Sequence, residues 1–534
     1  MTGPTGAARS SHGRRRTATV LIGVLAAAVA AAGCSSSNKT DASTAGSSDK
    51  VGDSVTFGTA APPPSLNPAT GDPAYGAVLQ WAYDPLVVMN ADGKFEPGLA
   101  SKWGYVGEGN QTYEFTLRDG LKFSDGSPLD AAAAKASLEY GKAQKSGTAP
   151  TLLASIASIE TPGPLTVRLK LSRPDPTMTF NFAQAFGGGY LVSPKAIANP
   201  KSLDFGTAGV GPYMLDAAKS VASDHYVFVQ NPNYWNKDRQ HFKTVTVKVI
   251  SNPSSMVQAM QAGQVQAALG DPTTLAAARN AGLTVIAPPQ AMSGINLMDR
   301  GGKVSKPLGD QRVRQALNFA VDRKTIAKAL YGDEKLALSQ FALDGQGGYD
   351  ASLNDKYPHD VNKAKALLKE AGYPNGFTLP VVSTPLYGLD KLVTAIGGQL
   401  AEVGVKVQVQ SKPDVNGYFT TMVSGKVPAA ALAYGLANMG SLYAGYVNTA
   451  GPFNPFKVSD PQLDELYKQY FLASEADGPA IEKQINARLV DLGWALQVVG
   501  APLSYYQDKS VTGLETATSA NAGVPLLTDL RLAS

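Results

Sequence analysis

Two periods of apolar residues take turns along most of this chain. Tyr113, Phe115 and Leu117 alternate with polar neighbours, which predicts a strand with one buried face. Val167, Leu169 and Leu171 repeat the pattern, as do Val245, Val247 and Val249, and later Val405, Val407 and Val409. Arg118-Asp119-Gly120 predicts a turn into Leu121-Lys122-Phe123, and Asp125-Gly126 predicts another. Elsewhere the spacing is helical. Over residues 312–330, Val313, Ala316, Leu317, Ala320 and Val321 fall on one stripe, with Asp310 placed to cap the first turn. Residues 361–371 read as a second helix capped by Asp360, with Ala364, Leu367, Leu368 and Ala371 inward. Gly372 ends it and Pro374 bars its return. Strands interleaved with helices predict an α/β fold, sheets covered by helices.

The N-terminus breaks this pattern. Arg14, Arg15 and Arg16 precede an apolar run over residues 20–32, and Ala31-Ala32-Gly33 then supplies small residues. That is the layout of a secretory signal. The run has 13 residues, whereas a spanning helix needs roughly 20, so a transmembrane anchor is not expected. Cys34 follows at once. The segment resembles a bacterial lipoprotein lipobox, with Ala31 where Leu is usual, and this implies a lipid on the Cys34 thiol. The alternative is a secreted protein with a chance cysteine in its leader. Residues 35–50 (SSSNKTDASTAGSSDK) are small and polar without apolar period, which predicts a flexible tether. The expected division is a signal peptide at 1–33, a tether at 34–50 and a folded body beyond.

Composition narrows the function classes. Hydrophobic residues are 44% and charged residues 17%, a globular balance. The net charge of +4 comes from Arg9 and Arg14 to Arg16. Without these four, 43 basic residues face 43 acidic ones. A nucleic-acid binder would carry a basic excess. Cys34 is the single cysteine, so no intrachain disulfide, Cys-type zinc site or CxxC pair exists. The histidines are His12, His225, His241 and His359, none at helical ligand spacing. No metal and no cofactor are expected, although a chelated nickel ion would not need them. GxSxG and HExxH are absent, and SxxK occurs only in the tether. Scattered carboxylates leave a hydrolytic acid pair open without pointing to one.

Four blocks carry a resemblance. They are residues 113–129 (YEFTLRDGLKFSDGSPL), Gly209-Val210-Gly211-Pro212-Tyr213 with Asn231-Pro232-Asn233-Tyr234-Trp235, residues 310–323 (DQRVRQALNFAVDR) and residues 362–376 (NKAKALLKEAGYPNG). In order and in content they resemble the extracytoplasmic solute-binding proteins of ABC importers, family 5, the class of dipeptide, oligopeptide and nickel binders. Gly263-Gln264-Val265-Gln266 and Ala131 to Ala134 depart from that family's pattern. The resemblance implies an α/β fold of the type II periplasmic-binding-protein kind, two lobes around a cleft. A larger lobe at 51–300 would contain a subdomain near 95–206, a smaller lobe would run over 301–495, and residues 496–534 would return to the larger one. It also implies a monomer at the extracytoplasmic face that delivers a solute to membrane permease subunits. ATP hydrolysis would belong to other subunits, in keeping with the absence of a GxxxxGK[ST] loop here. A sensor lipoprotein would read the same way. Gly211-Pro212-Tyr213, Arg312 and Arg314 are expected to shape and pair the scaffold rather than to touch a ligand.

The solute is less legible. In peptide-binding members an aspartate of a "W..D..DP" segment pairs with the ligand's α-amine. The corresponding segment here is residues 433–441 (AYGLANMGS), with Tyr434 where Trp is common, and residues 415–459 contain no Asp or Glu. A buried ammonium needs a paired charge. The same stretch is rich in aromatics, which would suit an oligosaccharide or another neutral ligand. The expected contacts are Tyr434, Asn438 and Met439, with Leu66 and Asn67 from the loop Pro62-Pro63-Pro64-Ser65-Leu66-Asn67-Pro68, which resembles the family's cleft-edge loop.

Overall fold

Two sheets take up most of the strands. The structure, a computed structural model, describes residues 51–71, 75–435 and 438–534. The expected signal peptide, Cys34 and the tether lie outside the described residues. The first sheet has seven strands in the order 284–286, 505–507, 267–269, 52–59, 242–249, 225–230 and 213–215. The second has five, in the order 406–411, 378–383, 429–435, 289–297 and 495–502. The apolar cores divide the same way. One is built only from residues between Met292 and Val499. The others draw on residues before 287 and after 502.

We propose that the two lobes follow these cores. Strands Pro289–Leu297 and Ala495–Pro502 pair within the second sheet. On this proposal the chain would cross at residues 287–288 and 503–504, where the sequence reading put the crossings near 300 and 495. No described helix is long and apolar enough to cross a membrane.

The expected strands at 112–117 and 166–171 belong to a separate four-stranded antiparallel sheet with 100–105 and 156–160. Tyr113, Phe115, Leu117, Val167, Leu169 and Leu171 are all buried there, against helix Ala131–Lys142. Gly120 and Gly126 take the left-handed φ that their turns require, 73° and 81°. The strand around Val407 is an edge strand, with Val407 half-buried and Val409 exposed. Its alternation is thus only partly used, since a sheet edge lacks one neighbour.

The single helix expected over 312–330 is two. Gln311–Phe319 is capped by Asp310, which accepts from the Arg312 N–H at 2.9 Å. Arg323–Tyr331 is capped by Asp322, which accepts from the Thr325 N–H at 3.0 Å. A second capping aspartate stops the first helix. The break lets buried Arg323 donate to the carbonyls of Gln497 and Asn318, at 2.8 and 2.9 Å. The stripe residues Val313, Ala316, Leu317, Ala320 and Val321 are all buried despite the break. The helix after Asp360 forms as expected, Val361–Glu370.

The motif blocks hold the scaffold together. The Gly211 N–H donates to Ala82 O at 2.9 Å and Tyr213 N–H to Trp81 O at 2.9 Å. A Cβ on Gly211 would overlap the Ala82 backbone. Asn231 Nδ2 donates to Gly211 O at 2.9 Å, and Tyr234 and Trp235 both donate to buried Asp84, at 2.8 and 3.2 Å. Arg312 pairs with Asp310 at 2.7 Å, and buried Arg314 donates to the carbonyls of Leu308 and Leu492, at 2.7 and 3.0 Å.

Candidate functional site

Strand direction locates the site. In the five-stranded sheet, strand Thr378–Ser383 runs parallel to Lys406–Ser411 and to Ala429–Gly435. Strand Pro289–Leu297 runs the other way, with Ala291 opposite Gly435 and Pro289 opposite Pro502. Ser383, Ser411, Gly435 and Pro502 therefore end at the edge where Pro289 begins. In the seven-stranded sheet, Gly52–Thr59 runs parallel to Phe242–Val249, and Tyr505 lies opposite both Leu269 and Ile286. Thr59, Val249, Leu269 and Ile286 thus end at the edge where Tyr505 begins. We propose that these two short crossings join the edges, with the carboxyl ends of both sheets facing one crevice. In open α/β sheets ligands bind outside the carboxyl ends of strands.

The crevice is also bridged away from the crossings. Asn110, at the hairpin tip of the four-stranded sheet, donates to the carbonyls of Phe471 and Ala473, at 3.0 and 2.8 Å. A Cβ on Gly440 would fall 2.5 Å from Thr177 Cγ2. Ser519 Oγ donates to Asp344 O at 2.5 Å.

Tyr434 lies near the end of strand Ala429–Gly435, Asn438 and Met439 follow that strand, and Leu66 and Asn67 come after strand Gly52–Thr59, but their side chains are engaged. Leu66 is in the apolar core, and its carbonyl accepts from the Tyr83 hydroxyl at 3.1 Å. Asn67 Oδ1 accepts from the Ala69 N–H at 3.0 Å and its Nδ2 donates to the Tyr140 hydroxyl at 2.7 Å. The Tyr434 ring packs against Tyr446 and Phe453, with centroids at 5.6 and 5.1 Å, and its hydroxyl donates to Ser441 O at 3.1 Å. Burial pushes that phenol up to about 12. Asn438 Oδ1 caps helix Met439–Leu442 through the Ser441 N–H at 2.8 Å. Met439 is buried.

Other groups at the same edge were not picked out from the sequence. Tyr387 is 79% exposed and holds a left-handed φ of 55°. Phe419 is also exposed. Ser411 Oγ donates to Asp390 Oδ2 at 2.6 Å, while Asp390 Oδ1 and Ser383 Oγ are buried without a hydrogen-bond partner. Glu482 is a buried acid on the apolar stripe of helix Gly478–Leu492. An acid at i with Ile485, Asn486 and Leu489 at i+3, i+4 and i+7 was the signal available for it.

Two cavities lie elsewhere. One of about 430 Å³ sits between Gly397 and Val407 and is mostly apolar. Another, about 420 Å³, is lined by Arg118, Trp235, Arg239 and Asp529. There Arg118 stacks over Trp235 at 4.5 Å and Arg239 pairs with Asp529, so its charges are already engaged.

Residues 94–454 match the family model of bacterial extracellular solute-binding proteins, family 5 Middle. The chain belongs to that family. Among curated family 5 relatives, the glutathione-binding protein GsiB of Salmonella paratyphi A is 30% identical over 344 residues, covering 62% of this chain and 64% of GsiB. The match therefore spans slightly less than two thirds of that relative. Among solved family 5 folds, CtaP from Listeria monocytogenes superposes with a TM-score of 0.76 at 21% identity, covering 91% of this chain and 100% of CtaP. DppA from Helicobacter pylori, in complex with the peptide STSA, superposes at 0.71 and 20% identity, covering 91% and 99%. The architecture is the two-sheet α/β fold of type II periplasmic binding proteins.

Proposed function

We propose that this family 5 protein is the solute-binding component of an ABC importer. It captures a peptide or peptide-sized solute in the crevice and hands it to permease subunits. Lipid on Cys34 would hold it at the extracytoplasmic face of the membrane, as a monomer. The observation that carries this reading is that each sheet gathers its strand ends at the edge from which the two short crossings run, which supports a crevice between those edges. Such crossings act as hinges. A solute that touches both edges favours the closed form by as much as it prefers that form to the open one. Micromolar affinity is worth about −8 kcal/mol, enough to bias closure and still permit release. The names of GsiB and of the DppA complex, one bearing glutathione and the other a peptide, support a peptide-like solute. Several of the aromatic residues that favoured a neutral ligand are packed on other rings: Tyr434, Tyr446 and Phe453 form one cluster, and Tyr443 packs on Tyr467 and Phe471 beyond that stretch. That weakens the oligosaccharide alternative.

Native mass spectrometry of the purified protein, with the released solute identified by fragmentation, tests the reading. A co-purifying peptide-sized solute at one per chain is expected. A protein that stays empty and binds no peptide when offered a broad mixture would overturn it.

A further inference from the structure

Two residues of the motif blocks, Arg118 and Trp235, line the cavity of about 420 Å³. None of its lining residues belongs to a strand of the seven- or the five-stranded sheet, so the cavity stands apart from the proposed crevice. Its charges are engaged, yet they are not all neutralised. Arg239 pairs with Asp529. Arg118 meets two carbonyls and a ring, and has no ion pair among the described residues.

The guanidinium is held in place. Arg118 follows strand Thr112–Leu117, and its backbone N–H donates to Leu99 O at 3.0 Å. Its Nε donates to Gly98 O at 2.7 Å and its Nη2 to Pro97 O at 3.3 Å, while the group lies over the Trp235 ring at 4.5 Å. The ring is fixed in turn by the bond from its Nε1 to buried Asp84, at 3.2 Å. A guanidinium has five N–H groups. Two are used here, and the three left over are on Nη1 and Nη2. Half-buried Asn236 lines the same cavity, and its side-chain amide makes no hydrogen bond among the described residues. The acids of the lining are already supplied. Asp529 has Arg239, and exposed Glu96 accepts from Asn90 Nδ2 at 2.6 Å.

We infer that this cavity is a second binding site, one for a small organic carboxylate that pairs with Arg118. The inference goes beyond the solute-binding reading and does not depend on it. A planar, fixed guanidinium with spare N–H groups on its outer edge matches a carboxylate, which accepts two parallel bonds. Stacking on an aromatic ring prepares Arg for this task in a way that Lys does not share. The Asn236 amide supplies a further donor. Val88, Met89 and Leu526 also line the cavity and offer apolar surface to a short carbon chain. Such a mix of apolar wall and few polar groups is usual in small-molecule sites.

The test titrates butyrate, glutarate and inorganic phosphate, each at millimolar concentration, into the purified protein by calorimetry. It is repeated on Arg118→Lys, which keeps the charge but loses the fork, and on Asn236→Asp, which adds an anion to the lining. The wild type should bind butyrate or glutarate, and each variant should bind it at least about tenfold more weakly. Asn236→Asp changes a side chain without partners, so it keeps the test open should Arg118→Lys not fold. A wild type that binds neither carboxylate would overturn the inference. So would unchanged carboxylate affinity in Asn236→Asp, which would place the carboxylate elsewhere on the protein. Binding of phosphate alone, weakened by the same variants, would overturn the carboxylate class. None of these outcomes touches the solute-binding reading, which its own test decides.

Discussion

Asn110 closes the end of a helix that belongs to the opposite side of the crevice: its Nδ2 donates to Phe471 O at 3.0 Å and to Ala473 O at 2.8 Å. The last carbonyls of a helix lack partners within it. Asn110 meets this need from a hairpin tip, at a left-handed φ of 51° that asparagine tolerates. Asp175 N–H in turn donates to Asn110 O at 3.0 Å. The pair couples the four-stranded sheet to helix Pro461–Leu472, and with the proposed lobes it would form only when the crevice is closed at that point.

Asn110→Asp keeps the backbone preference and removes the donor. It should weaken solute binding about five- to tenfold, mostly through faster release, since a hydrogen bond contributes about 1 kcal/mol. Stopped-flow displacement measures this. An unchanged release rate would mean that the contact does not report on closure.

Glu482 links stability to pH. Its carboxyl ordinarily titrates at 4.5 and is pushed up to about 7 by burial. Between those values the folded chain holds a proton that the unfolded chain releases, so stability falls as pH rises through this window. The full loss is about 3 kcal/mol at most. Glu482→Gln should be as stable as wild type at pH 5 and more stable at pH 8. Denaturant titrations at both pH values would show this, and parallel pH slopes for the two proteins would refute it.

Tyr387 separates fold from binding. Its side chain is 79% exposed and its φ is 55°. Tyr387→Gly should stabilise the protein by about 1 kcal/mol through relief of the left-handed backbone. If the ring contacts solute at the carboxyl edge, the same variant should bind several-fold more weakly. Thermal unfolding and calorimetry on one preparation read both effects.

Tyr434 and Asn438 are proposed to shape the crevice wall through packing and capping. Asn438→Ala should cost about 1 kcal/mol of stability by loss of the cap. Tyr434→Phe loses only the bond to Ser441 O and should leave affinity within about twofold. A large affinity loss in Tyr434→Phe without destabilisation would instead mark the hydroxyl as a direct solute contact.

Gly211 and Gly120 contrast two uses of glycine. Gly211→Ala would drive a methyl into the Ala82 backbone and should destabilise by about 3 kcal/mol or more. Gly120→Ala meets open space and strains only φ, so about 1 kcal/mol is expected. Comparable losses at both sites would show that close approach is not what the first position requires.

Much of the fold was legible in the sequence because local rules sufficed. Alternation at 113–117 and 167–171 gave strands, Asp310 and Asp360 announced helix starts, and four blocks in order resembled one family. The helix at 312–330 was misread because a stripe of buried residues continues across a break that Asp322 and buried Arg323 impose. The expected site residues lie in or after two strands, Ala429–Gly435 and Gly52–Thr59. What their side chains do was not legible there. Asn67 and Asn438 spend their amide oxygens on neighbouring N–H groups.

The sequence by itself determined the alternation of strands and helices, the balance of acidic and basic residues once Arg9 and Arg14 to Arg16 are set aside, and the family pattern, because period, composition and motif are local or additive. Only the tertiary structure decided which strands end at the same edge of each sheet. It alone decided that Asn110 meets Phe471 361 residues away and that Glu482 is buried with no cation among the described residues bearing on it. Burial and pairing depend on which distant segments the fold brings together, and no local pattern specifies that.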